Sequence, residues 1–345
     1  MSGGPRPAAL ALLVVAALAA CGRPEPAAPG VPVPVVTAPT ASVPSAPPAP
    51  PGEGALEPGG HVRITFLDVG QGDGALVTTD DGASLLIDLG PREAAPRIDE
   101  QLARLGGAVG AVLVTHAHAD HLGQLDSLAR TARIGALWDP GFAEHPVAAY
   151  DRALRVLSSR GVPHVIARRG MHLRLGRHAD VEILGPREPL LHNTRSDPNA
   201  NSVVVRLSHA SAGGDAGTRH VLFTGDAEHP TETRLLEAPE ALAADVLKVA
   251  HHGSKHASSA AFLRAVHPSV AVVSCGRAND YGHPHAATLG RLALAGTELH
   301  RTDLEGDITV DSEGGRLSTL PSRPATREAL ATPGRSARAT ALDAP

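Results

Sequence analysis

Apolar positions along this chain gather in short runs broken by turn residues. The runs "HVRITFLDV", "GALVTT" and "SLLIDLG" read as β-strands, parted by the turn-rich "GQGDG" and "DDGA". A helical spacing follows in "REAAPRIDEQLARLG" and stops at Gly106 and Gly107. The buried run "AVLVT" predicts another strand, "HPVAAYDRALRVLSSRG" a helix, and "HVIARRG", "MHLRLG" and "DVEILGP" a set of short strands. "NSVVVRLSH" and "RHVLFTGD" predict a strand pair joined by the flexible "ASAGGDAGT". Strand and helix then alternate: "TETRLLEA" helix, "DVLKVAHH" strand, "SSAAFLRAV" helix, "SVAVVSCG" strand, "HAATLGRLALAG" helix, and the closing strands "ELHRT" and "GDITVDS". Two blocks of strands interleaved with helices apolar on one face predict an α+β fold, two packed sheets with helices outside, an αββα sandwich.

The ends of the 345-residue chain depart from this pattern. Residues 1–20 place Arg6 before the apolar run "AALALLVVAALAA", too short to span a bilayer, and read as a targeting signal. The run ends in "LAAC", which resembles a bacterial lipoprotein signal with Cys21 as the lipidated residue; the alternative is an ordinary secretory signal beside an incidental cysteine. Residues 21–60 are rich in Pro and Ala and predict a semi-rigid tether. The folded domain is expected over residues 61–320, and residues 321–345 are expected to be a disordered tail. Cys275 is the only other cysteine, so a lipidated Cys21 leaves no internal disulfide and stability must come from the core and bound metal. A net charge of -5 argues against a nucleic-acid coat protein, and 2% aromatic residues against a stacking platform for single strands. Arg168, Arg169, Arg277 and Lys255 remain as local groups for phosphate, beside the plainer reading that scattered arginines only solubilise the surface.

The chemistry gathers at strand ends: "LDVGQGDG" with "IDLG", "THAHADH", "LFTGD" and "LKVAHHGS". His116 and His118 lie two apart and can face one ion from an extended segment. Asp120 and His121, past the turn, can face a second position. A two-metal centre needs a bridging carboxylate, which Asp226 is placed to give. Asp68, Gln71, Asp73 and Asp88 lie in the neighbouring acidic loops, where each Asp could equally cap a turn. His145, His164, His172, His178, His220 and His300 are read as structural or solvent-facing.

The ordered set "IDLG", "THAHADHLGQL", "LFTGD" and "LKVAHHGS" resembles the metallo-β-lactamase superfamily. "FLDVGQGDGALV", "NANSVVVRL", "LFTGDAE", "LKVAHHGSKHAS" and "NDYGHPH" are similar to the metallo-β-lactamase-like domain of the competence DNA-uptake proteins, the ComEC family. The resemblance covers residues 61–312 and implies a metallo-β-lactamase-like sandwich with two divalent ions, zinc or manganese. By it, His116 and His118 would bind the first metal, Asp120 and His121 the second, and Asp226 would bridge. His251 or His252 would complete the second site, with His251 favoured because it ends the strand. His252, Ser254 and Lys255 would then line the pocket, and Asp88 would orient the histidine loop. Most of the superfamily gives the first metal a third histidine, where this chain has "DPNANSVVV". Asn201 and Ser202 are the expected substitutes, facing water or substrate, with His192 and His209 as alternatives.

The implied function is metal-dependent hydrolysis of phosphodiesters, DNA foremost, by a hydroxide formed as the metals lower the pKa of a shared water to about 7. Asp120 would hold the nucleophile, while His283 in "YGHPH", with Lys255, would steady a phosphate or protonate the leaving group. "YGHP" could equally be a turn that packs the final helix. Without a polytopic membrane region, the expectation is a free-standing domain tethered to a bacterial envelope membrane through Cys21. Ester, lactone or β-lactam hydrolysis and a non-catalytic scaffold are the rival readings.

Overall fold

Alternation in the first apolar run becomes strand β1 (His61–Phe66), which buries Val62, Ile64 and Phe66. The computed structural model describes residues 55–143, 147–210 and 217–334. After β1 come β2 (Gly74–Thr79), β3 (Ser84–Leu89), β4 (Ala108–Val109), β5 (Ala111–Leu113), β6 (Arg133–Ile134), β7 (Leu137–Asp139) and β8 (His164–Ile166). The chain continues through β9 (His172–Leu175), β10 (Ala179–Gly185), β11 (Val204–His209), β12 (Arg219–Phe223), β13 (Val246–Lys248), β14 (Val270–Val273) and β15 (Glu298–Arg301), then β16 (Ile308–Glu313) and β17 (Arg316–Pro321).

Two sheets carry the fold. The first has the order β17-β16-β1-β2-β3-β5-β7-β8 and the second β15-β14-β13-β12-β11-β10-β9, with β4-β6 a separate pair. Their inner faces interlock: Ile64, Val77, Leu85 and Ile87 meet Val181, Val205, Leu207 and Val221 in one core, and the Phe66 and Phe223 rings stand 5.6 Å apart. Helix Ala95–Arg104 covers the outer face of the first sheet through Ile98 and Leu102, packing on Leu86 and Val112. Helix Ala260–Val266 covers the second through Phe262 and Leu263, packing on Leu247 and Val273. This is the expected αββα sandwich. Strands covered on both faces, such as β3 and β14, are buried at every position, which is why they read as continuous apolar runs.

The parallel strands position the site. β3, β5, β7 and β8 run parallel in the first sheet, and β12 to β15 do so in the second. Helical crossovers return each strand to the same edge, so the loops at their C-terminal ends collect in one place.

Three features differ from the sequence reading or add to it. The sequence reading names the closing strands without assigning them to a sheet, and they fall in different ones: β15 edges the second sheet and β16 pairs antiparallel with β1 in the first. β17 is an edge strand with a half-exposed polar alternation, "RLSTLP", that carries no apolar run to mark it. Residues 321–334, expected within a disordered tail, include helix Arg327–Ala331, whose Leu330 is buried. The buried Arg301 guanidinium holds this segment by donating to the Leu330 carbonyl at 3.1 Å, and Gly334 N–H donates to the Pro284 carbonyl at 2.9 Å. The signal, Cys21, the tether up to residue 54, His145 and residues 335–345 lie outside the described residues.

Candidate metal centre

Four strand ends build the cluster. β3 delivers Asp88, whose carboxylate accepts hydrogen bonds from both the Thr115 amide and the Thr115 hydroxyl at 2.8 Å. This pull turns residues 115–117 into a bend where an extended segment was expected. His116 Nε2 and His118 Nδ1 still converge, 3.1 Å apart. Asp120 and His121 follow on the short helix Ala119–Leu122. β12 runs into Gly225, whose φ of 50° and close approach leave no room for a side chain: a Cβ there would lie 2.8 Å from Thr115 Cβ. That contact brings Asp226 against the histidine loop. Beyond β13, His251 and His252 both take left-handed backbone angles, φ 49° and 52°.

Asp226 lies at the centre, buried, with its two oxygens facing opposite ways. Oδ1 is 3.2 Å from His121 Nε2 and 3.5 Å from His252 Nε2. Oδ2 is 3.8 Å from His116 Nε2 and 3.5 Å from His251 Nε2. Asp120 Oδ2 closes the first group at 3.2 Å from His252 Nε2. Two sets of ligand atoms result: Asp120, His121, Asp226 and His252 around one point, and His116, His118 and Asp226 around another.

Each ring is oriented by the nitrogen it turns away from the cluster. His252 Nδ1–H donates to the Ser274 carbonyl at 3.0 Å and faces Asp73 Oδ1 at 3.2 Å. His121 Nδ1–H donates to Asp88 at 2.8 Å, and His116 Nδ1 meets the Thr115 hydroxyl at 3.1 Å. These partners fix the ring orientations and turn the Nε2 atoms of His252, His121 and His116 inward. Charges follow the same division. Burial pushes His121 down, but Asp226, Asp88 and Asp120 together outweigh it and hold the ring well above the ordinary imidazole value. In His252 burial is likewise outweighed, by Asp226 and Asp73, and its pKa is pushed up to about 10. Burial and the nearby His121 hold His116 well below that value, and burial lowers His118. His252 and His121 overcome burial at Asp226 and keep its carboxyl well below the usual range.

The residues fit divalent ions on two grounds. His121 Nε2, His252 Nε2 and Asp226 Oδ1 are buried polar atoms without a hydrogen-bond partner, and all three face one point. Buried groups in that state are costly unless something satisfies them. The spacings agree, because two ligands of one tetrahedral ion at about 2.0–2.2 Å stand roughly 3.4 Å apart. The ligand-to-ligand distances above run from 3.1 to 3.8 Å.

The structure corrects several expected roles. His252, not His251, joins Asp120 and His121, because the strand ends at Lys248 and the left-handed turn carries the chain past His251 before it points inward. Asn201 does not face a ligand: its side chain accepts from Leu191 N–H and donates to the Leu191 and Asp197 carbonyls, all at 2.8 Å. Ser202 is a support, its hydroxyl accepting the Asp226 amide at 3.3 Å. Of the alternatives, His209 bonds Ser312 and Gly59, while His192 lies against Phe142 and Asp197. Asp68 sits outside the cluster, paired with Arg323 at 3.0 Å. Ser254 is buried and caps its own turn by accepting the His256 amide. Arg168 is committed to Glu188 and the Pro140 carbonyl, and Arg277 to the Asp303 carbonyl.

Other expected residues do surround the cluster. Gln71 accepts the Gly276 amide and lines, with Asp120, Arg92 and Tyr281, a cleft of about 640 Å³. Lys255 lines a second cavity of about 390 Å³ with Arg195, His256, Arg291 and Glu228. His283 is buried, with its ring 5.6 Å from His251 and 6.1 Å from His252, and its Nδ1 has no partner.

Sequence reasoning missed Lys248, Thr115 and Glu228. Lys248 is buried in β13 and forms an ion pair with Asp73, the carboxylate behind His252. Its signal was available: a lysine inside the apolar strand "DVLKVA" must find a buried partner. Glu228 accepts from His251 Nδ1 at 3.0 Å.

A sequence model of the Metallo-beta-lactamase superfamily matches residues 67–198. ComE operon protein 3 of Bacillus subtilis is 30% identical over 199 residues, 57% of this chain and 24% of that protein. Recombination protein 2 of Haemophilus influenzae is 29% identical over 268 residues, 76% of this chain and 30% of that protein. Competence protein ComA of Neisseria gonorrhoeae is 40% identical over 130 residues, 37% of this chain and 17% of that protein. The chain therefore spans less than a third of the length of each of these relatives.

Proposed function

Residues 67–198 are a metallo-β-lactamase superfamily domain, of the metal-dependent hydrolase class, and from that premise we propose that this protein is an exported, lipid-anchored phosphodiesterase that cleaves DNA. The observation that carries hydrolysis is the set of three unpartnered, buried ligand atoms around one point, beside an open cleft that Asp120 lines. The phosphodiester assignment draws on relatives named for competence and recombination, and on Arg195 and Lys255 in the cavity they share with Glu228. Zinc or manganese bound by these residues supplies Lewis acidity toward a phosphoryl oxygen and brings the pKa of water toward neutrality.

The chain's own groups do the rest. Asp120, only partly buried, accepts a hydrogen bond from the attacking water in the cleft and so orients it. His283 is pushed down to about 3 by burial and the nearby His252 and His251, so its ring is neutral at physiological pH. A neutral imidazole can donate one N–H to a phosphoryl oxygen but holds no spare proton for a leaving group. Lys255 and Arg195 grip the phosphates of the strand beyond the cleaved bond.

The test is to purify the protein and compare hydrolysis of a simple phosphodiester, linear DNA and a chromogenic β-lactam, for the parent and for Asp120→Ala. The reading expects Asp120-dependent cleavage of DNA and of the simple diester. Turnover of the β-lactam alone would overturn it, and bound metal without any turnover would favour a scaffold. Anchoring is tested by detergent-phase partitioning of cell lysates, which Cys21→Ala should abolish. Among the described residues no helix is long and apolar enough to cross a membrane.

A further inference from the structure

We propose that His251 is the third imidazole of the first metal position, so that the adjacent histidines of "AHHGS" serve different ions. This rests on the two-ion reading of the centre and deepens it. The first position has His116, His118 and Asp226, three ligand atoms where its neighbour has four. Asn201 and Ser202 of "DPNANSVVV", expected to fill the gap, are engaged elsewhere. Asn201 spends its side chain on its own loop, and Ser202 on the Asp226 amide.

His251 approaches the same oxygen of Asp226. Its Nε2 is 3.5 Å from Asp226 Oδ2, the oxygen that also faces His116, while His252 faces Oδ1 of the same carboxylate. That separation matches two ligands of one tetrahedral ion, roughly 3.4 Å apart. Nδ1 of His251 lies 3.0 Å from Glu228, and a carboxylate only accepts, so the proton sits on Nδ1 and the Nε2 lone pair is free. A carboxylate behind the ring is the usual support of a ligating histidine. The backbone supplies the rest: two consecutive non-glycine residues at φ 49° and 52° form a strained turn that sends neighbouring side chains to opposite oxygens. An extended strand end would have put the two rings on opposite faces, and a helical turn would have splayed them about 100° apart.

The test counts metal, not turnover. The full protein is stripped with chelator, reloaded with zinc, dialysed and measured for zinc per chain by mass spectrometry, with affinities from competition against a zinc indicator. The parent should retain two equivalents. His251→Ala should retain one tight equivalent and weaken the other by at least about tenfold. In a double-mutant cycle, His251→Ala and His116→Ala should be strongly non-additive on zinc affinity, whereas His251→Ala and His252→Ala, acting on different ions, should couple less strongly. Circular dichroism of each metal-free variant confirms that loss of zinc is not loss of fold, and Cd(II) or Co(II) loading reports one fewer nitrogen ligand in His251→Ala. Two equivalents at parental affinity in His251→Ala would overturn the proposal while leaving the two-ion reading intact. Fewer than two equivalents in the parent itself would overturn both.

Discussion

The two sides of Asp226 are built differently. On the Oδ1 side, Asp120, His121 and His252 meet over a floor of buried charges: Asp88 behind His121, Asp73 behind His252, and Lys248 behind Asp73. On the Oδ2 side, His116 and His118 are braced by a threonine hydroxyl and by each other, and His251 is about one-fifth exposed with Glu228 behind it. The deep side is held by carboxylates that water cannot screen. The open side has a single carboxylate, Glu228, behind its rings. The difference teaches that one carboxylate can join a site backed by a chain of buried charges to one backed by a hydroxyl and a single glutamate.

The most severe way to break the comparison is to remove its pivot. Asp226→Asn should weaken metal binding on both sides by on the order of 10²-fold or more, exceeding the effect of any supporting residue. Metal content after dialysis reads the result, and retention of either equivalent would show that the sides are independent. Next comes the charge floor. Lys248→Met leaves the His252 ring as the nearest remaining cation of Asp73 and should destabilise the metal-free protein in a urea melt, by up to the roughly 3–5 kcal/mol typical of breaking a buried ion pair. Lys248→Arg should recover part of that loss; equal stability of Lys248→Met and the parent would mean that Asp73 is not held as an anion.

Protons should sharpen the contrast further. In the metal-free protein His121 and His252 sit above the ordinary imidazole value, and their Nε2 protons must leave when metal arrives. His116 and His118 sit below it and have none to lose near neutral pH. Deep-side affinity should therefore rise with pH up to about 10, by about tenfold per pH unit for each proton released, and open-side affinity should stay flat above about 6.5. Titration calorimetry at pH 7 in two buffers of different ionisation enthalpy would show it; equal proton release for both equivalents would contradict the division. A smaller effect is expected from Glu228→Gln, about tenfold weaker binding on the open side alone. Asp68→Ala, whose partner is the exposed Arg323, should change stability by less than about 1 kcal/mol and leave metal content untouched.

Much of this was legible because the chemistry sits at strand ends and the strands announce themselves. "AVLVT" and "LFTGD" are short apolar runs ending in ligand-type residues, so His116, His118, Asp120, His121 and Asp226 could be named before any contact was known. The choice between His251 and His252 could not, since it depends on a left-handed turn that no local pattern of two histidines encodes. Asn201 misled for a related reason: an amide side chain satisfies a loop as readily as a ligand, and only the structure shows its three bonds spent on Leu191 and Asp197. The C-terminal helix was hidden because a single buried leucine, Leu330, gives no periodicity to read.

The shared carboxylate has a thermodynamic consequence. Because Asp226 offers one oxygen to each side, the first ion to arrive changes the charge and position of the ligand waiting for the second. Linkage requires that influence to be mutual: whatever factor occupancy of the deep side imposes on the open side's affinity, the open side imposes in return. The two positions are therefore coupled through one carboxylate, and a single dissociation constant measured for the centre describes neither position alone.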